Sequence, residues 1–136
     1  MRKRITPDTA RAWVDVDLDA LVRNARSYIA ATGVPTLPML KADGYGLGAL
    51  AVARALAETD PWGYGVATVD EARELHVNGI VRPIVVFTPL VPAIVPFIRE
   101  VAARPSICDI EALRAWLQSG GGPFHLEIDT EHISKV

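Results

Sequence analysis

One cysteine, Cys108, is all the thiol the chain carries, so no disulfide can form within it. A reducing cytoplasm is the setting expected of such a chain. Cys108 follows Ile107 in a short apolar stretch with no cation or helix start evidently aimed at it, so a buried, inert thiol is expected. An excess of one charge is missing too. Fourteen basic residues against 16 acidic ones leave a net charge of -2, which offers no electrostatic footprint for nucleic acid. The basic run Arg2-Lys3-Arg4 is short and terminal and reads as a solvated tail. Long apolar runs are absent. The longest uncharged stretch, Pro83 to Ile98, is too short for a membrane span and is interrupted by Pro89, Pro92 and Pro96. No apolar stretch follows the basic N-terminus, as it would in a secretory signal. A metal cluster is not expected either: Asp15, Asp17 and Asp19 have no histidine near them and read as a polar strand face plus a helix cap. What the chain does have is core-forming material, with 50% hydrophobic and 22% charged residues over 136 positions, enough for one ordinary domain.

Strand and helix patterns alternate along the chain. Residues 12–16 end in an apolar-polar alternation and read as a half-buried strand. Asp17 can cap the next helix, whose Leu18, Leu21, Val22, Ala25 and Ile29 recur at helical spacing, and Gly33 can end it. Leu37 to Leu40 is a short apolar run leading into a glycine-rich turn, and a helix over 49–58 follows. Gly63 to Ala67, Pro83 to Phe87, Ser106 to Cys108 and Phe124 to Ile128 read as further strands. The helices between them open at the capping box Thr68-Val69-Asp70-Glu71, near Pro92, and at Asp109. From Leu37 onward the strands recur roughly every 20 to 25 residues. That rhythm implies parallel pairing and suits a (β/α)8 TIM-type barrel, whose eight units need about 200 residues or more. The fold class expected is therefore α/β: about the first five strands of such a barrel, preceded by one strand and one helix. An open doubly wound sheet is the alternative on pattern alone.

The chemistry points to Lys41. It follows an apolar strand directly, and parallel α/β folds gather their sites at the C-terminal ends of strands. Leu37, Met39 and Lys41 share one strand face. A lysine there can snorkel to water, or it can serve as an amine nucleophile. A lysine amine of ordinary pKa, about 10.4, is almost wholly protonated at pH 7, so such a role needs a site that favours the neutral form. Gly44, Gly46 and Gly48 permit a tight turn and a close ligand, with Tyr45 between them as a candidate donor to a phosphate oxygen. Their spacing is not that of a dinucleotide fingerprint.

The stretch Leu40-Lys41-Ala42-Asp43-Gly44-Tyr45-Gly46-Leu47-Gly48 resembles the pyridoxal phosphate (PLP) lysine signature of alanine racemases, V-K-A-[ND]-[AG]-Y-G-H-G in common members. Trp13 to Leu21, Gly65 to Thr68 with Glu71-Ala72, Pro83 to Val86 and Leu126 to Thr130 resemble further family segments in the same order. The resemblance implies a fold-type III PLP enzyme, in which a barrel precedes a β domain that this chain lacks and the first strand joins that β domain. It implies that Lys41 holds PLP as a Schiff base and is one of two proton-transfer bases, and that Tyr45 lies near the cofactor phosphate. The second base would be a tyrosine of the partner subunit, the parent enzyme being a homodimer, and the substrate would be alanine, interconverted between its L and D forms for the cell wall. Another fold-type III enzyme, such as a broad-specificity racemase or a D-threonine aldolase, and an inactive truncated product are the alternatives.

Three departures from the family pattern stand out. Leu47 replaces a frequent histidine. Glu127 stands where many members carry a lysine that becomes carbamylated. After Thr130 the pattern stops, and Glu131 to Val136 does not continue it. The expected organisation is a strand plus helix over 1–34, a partial PLP-binding barrel over 35–130 and an off-pattern tail over 131–136, as in a truncated or frame-shifted product. His125, Glu127 and Asp129 share one strand face, which either lines a barrel mouth or lies on a solvated edge. His76 reads as an exposed helix residue, and Trp13, Trp62 and Trp116 as core or packing residues.

Overall fold

Parallel pairing sets the architecture. The computed structural model describes residues 12–128. Arg2 to Arg4, Asp129 and the 131–136 tail lie outside them. Among the described residues a four-stranded parallel sheet runs in the order β1 (Tyr64–Val66), β2 (Ile84–Pro89), β3 (Arg104–Ile107) and β4 (His125–Leu126). The lysine strand adds a fifth position: a single bridge, Met39 to Gly65, sets it beside β1 in parallel.

Helices connect the strands. α1 (Leu18–Thr32) starts at Asp17, whose carboxylate accepts from Ala20 N at 2.8 Å, and ends at Gly33, at φ 70°. A short turn, α2 (Lys41–Tyr45), leads to α3 (Ala49–Leu56). α4 (Val69–Val77) opens with the expected capping box of Thr68 and Glu71. α5 (Val95–Glu100) follows a short 3-10 turn at Pro92–Ile94, and Pro96 sits in its first turn, where a missing N–H costs nothing. α6 (Ile110–Gln118) is capped by Asp109.

Alternation along the strands divides the sheet into two faces. Tyr64, Val66, Ile84, Val86 and Ile107 are buried in one hydrophobic core with Val22, Leu56, Leu75, Ile98 and Trp116 of the helices. The Tyr64 hydroxyl donates to the Ala53 carbonyl of α3 at 2.6 Å, which ties β1 to its covering layer. Burial raises the Tyr64 phenol above its ordinary pKa, with Arg82 opposing. Met39, Gly65 and Phe87 meet on the opposite face. A Cβ at Gly65 would overlap Met39 and come within 2.8 Å of Phe87, so the glycine is what lets those side chains close over β1.

Three expectations need correction. Residues 12–17 form no ladder, and Trp13 and Val14 are 60% and 78% exposed. Alternation marks a segment able to pair, but these residues pair with no described strand. Cys108 is exposed rather than buried, because it stands one residue past the end of β3. Of the tryptophans, Trp116 belongs to the core and Trp62 packs against Arg104 and His125, but Trp13 is exposed.

The far edge of β4 pairs with nothing among the described residues, and Leu126 and Ile128 beside it are 64% and 70% exposed. Unpaired edges with exposed apolar side chains favour association between chains. The purified 136-residue chain should therefore elute larger than a monomer in size-exclusion chromatography. A monomer peak across the micromolar range would contradict that.

Candidate active site

At the C-terminal end of the lysine strand the backbone changes hand. Ala42, Asp43 and Gly44 lie at φ/ψ of 52/49°, 52/48° and 63/39°, and Tyr45 follows at φ 58°. The tight turn that the sequence suggests is thus a turn of left-handed helix. L-residues pay roughly 1–2 kcal/mol each for this conformation, so three non-glycine residues in it need compensation. Backbone bonds supply part: Gly44 N donates to Leu40 O at 2.9 Å, Gly46 N to Ala42 O at 3.0 Å and Gly48 N to Asp43 O at 2.9 Å. Gly44 is buried, and a Cβ there would stand 3.2 Å from Ala49 Cα and N, so only glycine lets the turn sit against α3.

Two carboxylates hold the turn from either side. Asp43 accepts from Ala49 N at 2.7 Å and supplies the cap that Gly48, with no side chain, cannot give to α3. Glu71 reaches across from α4: its Oε1 accepts from Ala42 N at 2.7 Å, while Oε2 accepts from Ala67 N at 2.8 Å and Thr68 N at 3.1 Å. Burial pushes the Glu71 carboxyl up. The three N–H donors and the Lys41 ammonium outweigh that and bring it below the usual range. Sequence reasoning singles out neither residue for the site. Glu71 is legible there as half of a capping box and as part of a family-like segment, and Asp43 as one residue of the lysine signature, but neither as a brace on the turn.

Lys41 opens this turn with its side chain exposed, and its Nζ lies 5.9 Å from the centre of the Tyr45 ring. Tyr45 is 62% exposed. The structure thus brings the two candidate residues together at one strand end. An exposed amine, an accessible phenol and a backbone turn with glycines at its exit form a donor set able to hold an aldehyde-bearing, phosphorylated ring.

The opposite end of the sheet is built differently. The Arg104 guanidinium, at the start of β3, lies 4.7 Å over the Trp62 ring, and His125, at the start of β4, meets that ring edge-on at 5.8 Å. His125 therefore packs at the N-terminal end, away from Lys41. Glu127 is exposed past the end of β4, with its N–H donating to Ile107 O at 2.9 Å. A cavity of about 640 Å³ opens at this N-terminal end, but the arginines lining it are already engaged. Arg82 pairs with Asp60, Arg99 donates to the Gly121 carbonyl, and Arg104 stacks on Trp62. We read that end as structural, as is usual for the N-terminal face of such sheets.

Comparison with known proteins sharpens the picture of the lysine end. The family described as "Alanine racemase, N-terminal domain" matches residues 16–133. The chain belongs to that family. It is 33% identical over 128 residues to the alanine racemase of Synechocystis, covering 88% of this chain and 34% of that protein. It is 30% identical over 123 residues to the alanine racemase of Aquifex aeolicus, covering 88% of this chain and 36% of the relative. Among solved structures, the alanine racemase of E. faecalis superposes with a TM-score of 0.70 at 30% identity, covering 76% of this chain and 29% of that one. The chain thus spans about a third of the length of the alanine racemases it matches. The described sheet is a part of that family's (β/α) barrel.

The left-handed turn makes an opposed pair of predictions for this alanine racemase domain. Ala42→Gly removes a Cβ from a left-handed position and should raise stability by about 1 kcal/mol. Gly44→Ala adds strain and presses on the α3 backbone, and should cost about 1–3 kcal/mol. Urea denaturation checks both. Equal signs for the two variants would mean that the turn is not left-handed in solution.

Proposed function

We propose that this chain is the PLP-binding part of an alanine racemase, with Lys41 as the residue that carries the cofactor. The observation that bears most weight is the setting of Lys41, the sole lysine among the described residues, at a strand's C-terminal end where a braced backbone turn begins. Its amine is exposed and free to bond covalently to an aldehyde carbon. The Tyr45 hydroxyl is accessible beside it and suited to donate a hydrogen bond to a phosphate oxygen. When bound, PLP withdraws electrons from the α-carbon of an amino acid and so acidifies its C–H bond. Lys41 would take or return the proton on its own side of that carbon.

Racemisation needs a second group on the opposite side. Tyr45 lies beside Lys41 rather than across from it. We therefore assign this chain one half of the proton traffic, the other half coming from a partner subunit of a homodimeric parent enzyme. Supply of D-alanine to the cell wall is the role such an enzyme would fill. A broader substrate range is the second reading. A histidine racemase of Leuconostoc mesenteroides shares the fold with a TM-score of 0.67 at 23% identity, so this architecture does not by itself select a methyl side chain. Turnover of a panel of amino acids by the parent enzyme separates the two readings.

Mixing the chain with PLP, reducing with borohydride and mapping the peptides should place the label on Lys41. Label on Lys3 or Lys135 instead would sink the assignment. The 136-residue chain with saturating PLP should not racemise L-alanine, and turnover by a monomer would refute the division of the site proposed above.

A further inference from the structure

The parallel ladder between the lysine strand and β1 stops at a definite rung. Gly65 N donates to Pro38 O at 2.9 Å, and Leu40 N donates to Gly65 O at 2.7 Å. A continued parallel ladder would next take Ala67 N to Leu40 O and Ala42 N to Ala67 O. Neither bond forms. The Leu40 carbonyl is occupied by Gly44 N at 2.9 Å, and the Ala67 carbonyl by Thr88 N of β2 at 3.1 Å. The left-handed turn therefore leaves two N–H donors, Ala42 and Ala67, beside each other with no backbone acceptor. The Glu71 carboxylate fills that gap, with one oxygen on Ala42 N and the other on Ala67 N.

A capping box does not require this. Thr68 N alone would complete the box. The bond to Ala42, 29 residues away in sequence, is an addition. It matters because Lys41 lies between Leu40, held by the last rung, and Ala42, held by Glu71. The residues on both sides of the lysine are thereby tied through their N–H groups, Leu40 to β1 and Ala42 to Glu71.

We propose that Glu71 is the positioning residue for Lys41, its carboxylate replacing a missing rung of the sheet and so setting the direction in which the lysine leaves the strand. This rests on the reading of Lys41 as the cofactor lysine. The restraint itself is a property of the chain and holds without PLP. The chemistry selects a carboxylate over an amide. Facing two donors, an ionised carboxylate offers an acceptor to each, whereas glutamine offers one acceptor and one donor. One carboxylate oxygen serves two donors, Ala67 and Thr68, and the other serves Ala42, so Glu71→Gln keeps its single acceptor on the pair and releases Ala42. Glu71→Asp keeps the charge but loses the reach.

The test uses the full 136-residue chain and three readouts: amide exchange at Ala42, the NMR contact between the Lys41 ε-methylene and the Tyr45 ring, and the PLP concentration that half-saturates Lys41. Losing one charge-assisted hydrogen bond corresponds to about 10–100-fold. In Glu71→Gln, Ala42 exchange should rise by about that factor, the Lys41–Tyr45 contact should weaken, and half-saturation should move up by on the order of tenfold. Glu71→Asp should behave like Glu71→Gln. Thr68→Ala removes the other half of the box and should loosen α4 while leaving the Lys41–Tyr45 contact in place. Should the variants unfold, the wild-type chain carries the test. A carboxylate held below its usual range keeps its bonds down to ordinary carboxylate pH and loses them only as pH falls through its own lowered pKa. Ala42 protection should follow that course and collapse together with the Lys41–Tyr45 contact. An unchanged Lys41–Tyr45 contact in Glu71→Gln, or an equal loss in Thr68→Ala, overturns the proposal. Wild-type chain that fails to take up PLP at Lys41, with the first two readouts behaving as stated, overturns the functional reading and leaves the positioning role standing.

Discussion

The lysine end of this protein depends on a conformation that L-amino acids resist. Three non-glycine residues, Ala42, Asp43 and Tyr45, hold left-handed backbone angles in one turn. At roughly 1–2 kcal/mol each, that is a sizeable share of the 5–15 kcal/mol that typically holds a whole domain together. Strain of this kind persists only where the surroundings over-determine it. Here they do so from three directions: Glu71 on Ala42 N, Asp43 on the start of α3, and Gly44 seated against Ala49. Two of these restraints are local, tying the turn to the start of α3, and the third comes from α4, 29 residues away in sequence, so the turn depends on both its own sequence and the assembled fold.

The two ends of the sheet divide their labour accordingly. At the N-terminal end, charged groups are spent on packing, with Arg104 stacked on Trp62 and Arg82 paired with Asp60. At the C-terminal end, the amine of Lys41 and the phenol of Tyr45 are exposed while the backbone beneath them is tied down. A rigid base under accessible side chains is what a binding site asks of a scaffold.

Features set by near neighbours along the chain are legible in the sequence. The caps at Asp17, Thr68 and Asp109 announce helices because their side chains satisfy backbone donors two or three residues on, a wholly local matter. Strand spacing gives the parallel order for a similar reason, since each helix crossover occupies a near-constant length. Lys41 stands out through its place at the end of an apolar run. Whatever depends on a distant partner is not legible in this way. Glycines at 44, 46 and 48 signal permission for unusual angles, but Ala42 and Tyr45 carry no such signal. The alternation in residues 12–16 resembles a strand, yet a strand exists only where another edge receives it. Cys108 has the burial habits of its type but falls one residue beyond its strand.

The ties across residues 43–49 have a consequence for how such sequences vary. Asp43 caps Ala49 N, Gly48 N returns to Asp43 O, and Gly44 rests on the backbone of Ala49. Each tie counts residues. A single deletion or insertion between Gly44 and Gly48 would shift one end of all three against the other, whichever side chains were involved. Related chains that keep this turn can therefore exchange letters within it, as Leu47 illustrates, but the segment has one permitted length. Gaps in an alignment of such relatives should fall outside it.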